Sequence, residues 1–263
     1  MPVLFEVELT GTTMVPATGV RTLLSRFATD PEGKHSEQDK PYRAGEVVPG
    51  AATSQWRLGW SAPDSVPGWQ PEDVFGARLD APAHVHDKVR VVRIRRRAVS
   101  FGELVAGPPW PGAARMEFRS PTLFRRGAPP GRPSAARRWW PVLDPVLVLE
   151  SVARGWARWA PAELVIPRDI VDDVLDRVVV RQAQLRTRHV GDVAAADAPP
   201  RARTGVIDSQ VGFVGTAVLD LAGPVPATTR AVFTTLCRFA DVHGVGAQRC
   251  YGFGDVGVVP VAR

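Results

Sequence analysis

Four glycines near the C-terminus constrain this chain more than any other feature. They lie in His243-Gly-Val-Gly-Ala-Gln-Arg-Cys-Tyr-Gly-Phe-Gly-Asp255, where Gly244-Val245-Gly246 and Gly252-Phe253-Gly254 flank five residues. An amphipathic stretch comes before them and an alternating apolar run comes after. Glycine at four such points lets the backbone take positive φ and approach a neighbour or a ligand closely. Successive N–H groups in turns of this kind form a concavity suited to phosphate. The stretch is not a dinucleotide-binding loop. It lacks the third glycine of G-x-G-x-x-G and leads out of a helix into a strand, the reverse of that site. No Gly-Lys-Ser/Thr follows, so it is not a P-loop either. One glycine pair alone reads as a tight packing turn; two pairs at this spacing read as a loop with a binding role.

The rest of the chain punctuates into two similar halves. Residues 2–10 alternate like a strand, with Val3, Phe5, Val7 and Leu9 on one face. Val20, Leu23, Leu24 and Phe27 have helical spacing over 18–27. Strands are predicted over 55–60 and 88–94, with a short helix near 72–79. Gly107-Pro-Pro-Trp-Pro-Gly112 is a strong break. Beyond it, strands are predicted over 115–120, 178–189, 211–221 and 251–261, and helices over 145–159 and 227–242. Each half approximates βαββαβ. The expectation is an α+β protein of tandem ferredoxin-like domains, 1–110 and 111–263.

Composition narrows the function classes. The chain has 263 residues, 44% of them apolar, enough for a real core. No run of about 18 apolar residues indicates a membrane span. The N-terminus carries acid and alternates, unlike a signal peptide. Cys237 and Cys250 form neither a C-x-x-C nor a zinc spacing. A reduced, cytoplasmic protein without metal or cofactor is expected. Charge is unevenly placed. From Lys88 to Arg138, thirteen Lys and Arg face two acids, a net of +11 within a chain of +6. A basic segment in an otherwise acidic chain is the footprint of a polyanion partner.

The pattern G-h-G-x5-G-h-G (h apolar) beside the C-terminus resembles the signature loop of the RAMP superfamily, the RNA-binding proteins of CRISPR systems. Within it the chain is most similar to endoribonucleases that cut precursor CRISPR RNA within each repeat. Four further features fit in the same order: His35 with Pro41-Tyr42, Met116-Glu-Phe-Arg-Ser-Pro-Thr122, Leu143-Asp-Pro145 and Gly212-Phe-Val-Gly215. After Tyr42 the family often has a Ser-Pro-Leu-like turn, where this chain has Arg43-Ala-Gly-Glu-Val-Val-Pro49.

The resemblance implies metal-independent cleavage by the RNA's own 2′-hydroxyl, with the repeat RNA as partner, and in some cases further effector-complex subunits. It makes His35 the catalytic histidine, and a pKa near neutrality suits that group to moving protons. Lys34 and Lys40 are placed in sequence to neutralise charge on the phosphorane, and Tyr42 to position a phosphate or a base. Arg125, Arg126, Arg137 and Arg138 form a basic loop between the halves, and Arg186 and Arg188 share one face of a strand. Those six arginines, with Gly244, Gly246, Arg249, Gly252 and Gly254, are the RNA-binding candidates. His243 joins them as a phosphate contact or, alternatively, caps the preceding helix as a cation. Trp139-Trp140 either stack on unpaired bases or anchor the loop. Two rival readings are a non-catalytic RAMP subunit, which needs the glycine loop but not His35, and a general RNA-binding protein. An RNA-recognition motif is disfavoured because its RNP1 pattern is missing.

Overall fold

The computed structural model describes residues 1–10, 41–62, 90–126, 138–190 and 210–261. In the first half, β1 (Val3–Thr10), β2 (Tyr42–Ala44), β3 (Val48–Pro49), β4 (Ser54–Trp60) and β5 (Arg90–Ala98) form one antiparallel sheet. Its order is β2-β4-β1-β5, with β3 beside β4. Val3 stands opposite Trp60 on one side and Ala98 on the other. The alternation read from the sequence lays Val3, Phe5, Val7 and Leu9 into one apolar cluster with Trp56 and Leu58. The helices predicted over 18–27 and 72–79 lie outside the described residues.

A short helix lies just before the glycine-proline break. Helix α1 (Phe101–Ala106) opens with Ser100 capping Glu103, whose carboxylate returns to the Ser100 N–H. Six residues are too few to betray a helix by periodicity. Its Phe101 meets Trp156 edge-on at 5.1 Å, so α1 packs into the second core although it precedes residue 110.

Strands β6 (Ala113–Thr122), β9 (Val178–Val190), β10 (Gln210–Leu221) and β11 (Val256–Val261) form the second sheet, in the order β11-β6-β10-β9. Helix α2 (Pro145–Trp159) begins where Asp144 accepts the N–H groups of Val146 and Leu147 at 3.0 and 3.3 Å, with Pro145 in the first turn. Its buried Val148, Leu149, Val152 and Trp156 recur at helical spacing. Helices α3 (Arg168–Arg177) and α4 (Ala227–His243) complete the layer. Both sheets follow one strand plan, fourth-first-third-second, which is the ferredoxin-like order. The protein is therefore a tandem ferredoxin-like α+β chain. The basic stretch around 125–138 is partly strand: β7 (Phe124–Arg126) pairs with β8 (Arg138–Trp140). Among the described residues no helix is long and apolar enough to cross a membrane.

Candidate functional site

The glycine-rich loop is the joint between the two cores. All four glycines take positive φ: 76° at Gly244, 78° at Gly246, 92° at Gly252 and 67° at Gly254. Val245 packs into the second cluster, whereas Cys250 and Phe253 pack into the first. The last strand consequently starts at Val256 rather than at Tyr251, because Arg249–Tyr251 form a 3-10 turn. That turn packs against β2, the strand that begins two residues after Lys40.

Five N–H groups of the loop are engaged inside the fold and are not available to a phosphate. The N–H of Gly244 donates to Ala240 O, Val245 to Gly254 O, Ala247 to Leu123 O and Gly254 to Pro121 O, at 2.8–3.0 Å. The N–H of Gly246 donates to Ser151 Oγ at 2.9 Å. Buried backbone donors are satisfied within the fold wherever a partner is in reach, and here the loop must seal two cores. Gly244, Gly246 and Gly254 thus serve close packing. A Cβ on Gly246 would sit 2.5 Å from Leu123 O, and one on Gly254 would overlap Val245 O.

His243 and Arg249 form a buried pair beside that joint. The imidazole is 2% exposed and stacks on Phe239 with ring centroids 4.7 Å apart. Arg249 Nη1 hydrogen-bonds His243 Nε2. A guanidinium can only donate, so Nε2 accepts. Nδ1 therefore carries the proton and donates to Ser61 Oγ at 2.9 Å. Gly155 on α2 makes this possible, since any Cβ there would overlap the imidazole. Burial first, then the charges of Arg249 and Arg43, push the His243 pKa well below its ordinary value. The neutral ring is neither a cationic helix cap nor an exposed phosphate contact, and both readings of His243 give way to a structural one. Arg249 itself is pulled down to about 10 by burial, with Arg154 and Arg43 nearby.

An ionic network that periodicity does not reveal locks the two halves. Arg43 is 1% exposed; its Nε donates to Val242 O at 2.9 Å, its Nη2 to Asp241 O at 2.8 Å, and its Nη1 to Asp255. Arg57 Nη1 reaches Asp255 Oδ1 at 3.0 Å and its Nη2 reaches Asp241 Oδ1 at 3.2 Å. Arg97 holds the other oxygen of Asp241. Burial opposes ionisation of Asp241, but Arg57, Arg97 and Arg43 outweigh it and hold the carboxyl below the usual range. Burial takes Arg43 down to about 10, opposed by Asp255. A hint was present in the sequence: Gly45 and Gly59 flank these arginines on the sheet. A Cβ at Gly45 would stand 2.8 Å from Asp255 Oδ2, and one at Gly59 would overlap Val242 O.

The remaining candidates separate by exposure. Tyr42 is 3% exposed in the first apolar cluster, opposite Trp60, so its ring packs the sheet instead of positioning a phosphate or base. Arg125 is exposed, its guanidinium 5.1 Å from the centre of the Trp139 ring. Trp139 packs against the first cluster and Trp140 against the second, as strand alternation requires, so the pair anchors the ribbon to both cores. Arg186 is exposed on β9; Arg188 is half-buried and ion-paired with Glu46, which follows β2. Arg126 and Arg138 lie opposite each other on the ribbon. Lys34, His35, Lys40 and Arg137 lie outside the described residues. The structure thus gathers the Arg125–Arg126 strand, Arg188 and Arg249 around β2 and the glycine joint.

Residues 116–256 match the family profile of the CRISPR-associated endoribonuclease Cas6. The chain belongs to that family. Among solved structures, a Cas6 product complex is similar over 98% of this chain and 100% of its own, with a TM-score of 0.72 and 22% identity. The Thermus thermophilus Cas6 is similar over 98% of both chains, at 0.66 and 20%. A Cas6 complex with a substrate mimic is similar over 98% of this chain and 99% of its own, at 0.62 and 22%. No curated protein matches the chain.

Proposed function

We propose that this protein cuts precursor CRISPR RNA once within each repeat, without metal, and keeps the product bound. The observation that carries this reading is the family match over 116–256. The exposed Arg125 on β7 and Arg186 on β9 support it, as does the capture of related proteins with product and with a substrate mimic. In this reaction the 2′-hydroxyl attacks the adjacent phosphorus and the 5′-oxygen leaves, giving a 2′,3′-cyclic phosphate and a 5′-hydroxyl. The protein must hold the attack in line, move two protons and stabilise the dianionic phosphorane. His35 takes a proton from the 2′-hydroxyl or supplies one to the leaving oxygen; Lys34 and Lys40 offset the charge. The first ferredoxin-like unit carries the histidine and the second the glycine joint, with a division near residue 110 and helix α1, just before it, packed on the second core.

Purified protein and repeat RNA test the reading. Site-specific cleavage that survives EDTA, and falls by about two to four orders of magnitude in His35→Ala with RNA binding retained, is expected. Full activity of His35→Ala removes the mechanism. Magnesium-dependent activity replaces it with a metal-assisted one. Tight binding without cleavage by the parent protein makes the chain a non-catalytic RAMP subunit.

A further inference from the structure

Gln248, midway between the glycine pairs, departs from the packing logic of the rest of the loop. Among the described residues it is the non-glycine residue with positive φ, at φ 58° and ψ 30°. A side chain in that left-handed region carries strain that the loop has not removed by using glycine, as it does at four neighbouring positions. Its side-chain Oε1 is buried and has no hydrogen-bond partner. Strain and an unsatisfied buried acceptor at one residue are two independent costs, and such costs collect at functional positions. The adjacent Arg249 guanidinium bonds only His243 and faces no carboxylate among the described residues, so the surroundings are electropositive.

We propose that Gln248 is a positioning residue that hydrogen-bonds the RNA substrate at the glycine joint; this rests on the RNA-processing reading above. Because Oε1 holds no bond inside the protein, turning outward breaks none. An amide oxygen accepts, so its partner must donate. Phosphate oxygens only accept and are excluded as partners of Oε1, which leaves a ribose 2′-hydroxyl, an exocyclic base amine or the ring N–H of guanine or uracil. The neighbouring arginine attracts the RNA backbone, and the amide then fixes the strand's register.

The test compares the parent with Gln248→Gly, which relieves the backbone strain, and Gln248→Asn, which tolerates a left-handed backbone but has a shorter reach. The expected result for Gln248→Gly is an unchanged or higher Tm with repeat-RNA affinity reduced about tenfold, the loss of roughly one hydrogen bond. A series of repeat RNAs with single 2′-deoxy or base substitutions identifies the donor: one substitution should weaken the parent and leave the glycine variant unaffected. If that position responds to 2′-deoxy substitution the partner is a ribose, and if it responds to a base change the partner is a base N–H group. Parent-like affinity in Gln248→Gly overturns the proposal, as does lost affinity accompanied by a lower Tm, which marks a structural role. Should the glycine variant fail to fold, the asparagine variant carries the same comparison. A parent that binds no repeat RNA removes the functional reading along with this one, whereas a binding, cleaving parent matched by its variant removes this one alone.

Discussion

At the junction, Arg43 and Arg57 are 1% and 8% exposed and both bind Asp255. On β7 and β9, Arg125 and Arg186 are exposed and face no carboxylate among the described residues within ion-pair distance. The same side chain serves opposite ends. A buried guanidinium that loses its carboxylate is left charged in a poor solvent, so breaking the pair costs far more than its net contribution to stability. An exposed one is already solvated, contributes little to the fold, and is free to exchange water and counterions for phosphate. Arginine count alone does not separate these roles; burial does.

Two readouts, thermal stability and salt dependence of RNA binding, break or sharpen this contrast. The largest effect is expected at Asp255. Asp255→Asn strips Arg43 of its ion-paired carboxylate and leaves Arg57 with Asp241 and Glu6 alone, and should destabilise the protein by about 3–5 kcal/mol in denaturant melts. The salt slope of RNA binding should stay as in the parent at temperatures where the variant is folded. A loss below 1 kcal/mol would mean the network is solvated like the surface arginines.

Acid provides the second test. Asp241 has a lowered folded pKa, so its stabilisation is complete above the unfolded value of about 3.9 and is lost as pH falls through the folded one. Asp241→Asn should therefore be clearly less stable than the parent at pH 7, and the gap should narrow as pH falls below about 3.9. A stability gap independent of pH would show that charge at Asp241 is not what matters.

His243 should act at milder pH and more weakly. Its folded pKa lies below the ordinary value, so under acid the unfolded chain takes up a proton that the folded ring refuses. Stability should fall as pH drops below about 6.5. His243→Gln, although less stable at pH 7, should flatten that decline between pH 7 and 5; an unchanged slope would mean the ring is charged in the fold.

The smallest effect on stability is expected at the exposed arginines. Arg125→Ala and Arg186→Ala should each stay within about 0.5 kcal/mol of the parent. Each should reduce the slope of log affinity against log salt by roughly 0.7 if the RNA bound is single-stranded. A normal slope in both variants would leave the basic surface without a ligand.

Much of this could be read from the residues, and the misses have a common cause. Helix 145–159 was legible because Asp144-Pro145 caps it and its apolar residues recur every three to four positions. Strand β1 was legible from alternation, and the glycine pairs correctly marked a backbone of positive φ. Helix α1 and the ribbon β7–β8 were too short to show a period. Tyr42 and His243 looked polar and available, yet both are buried by elements far away in sequence. The Arg43–Asp255 pair spans 212 positions, and no local pattern encodes such a contact.

By itself, then, the sequence determined what depends on near neighbours: the repeated ferredoxin-like order, the helix starts, the basic segment and the glycine-permitted turns. Tertiary structure decided what those groups are for. Only when β2 and β4 meet the end of α4 does it emerge that Gly244, Gly246 and Gly254 pack, that His243 is neutral and that Arg43 is structural. The physical reason is that burial sets the energy of a charge or an unpaired polar atom. Burial is a property of residues brought together from distant parts of the chain, here across the joint between two sheets.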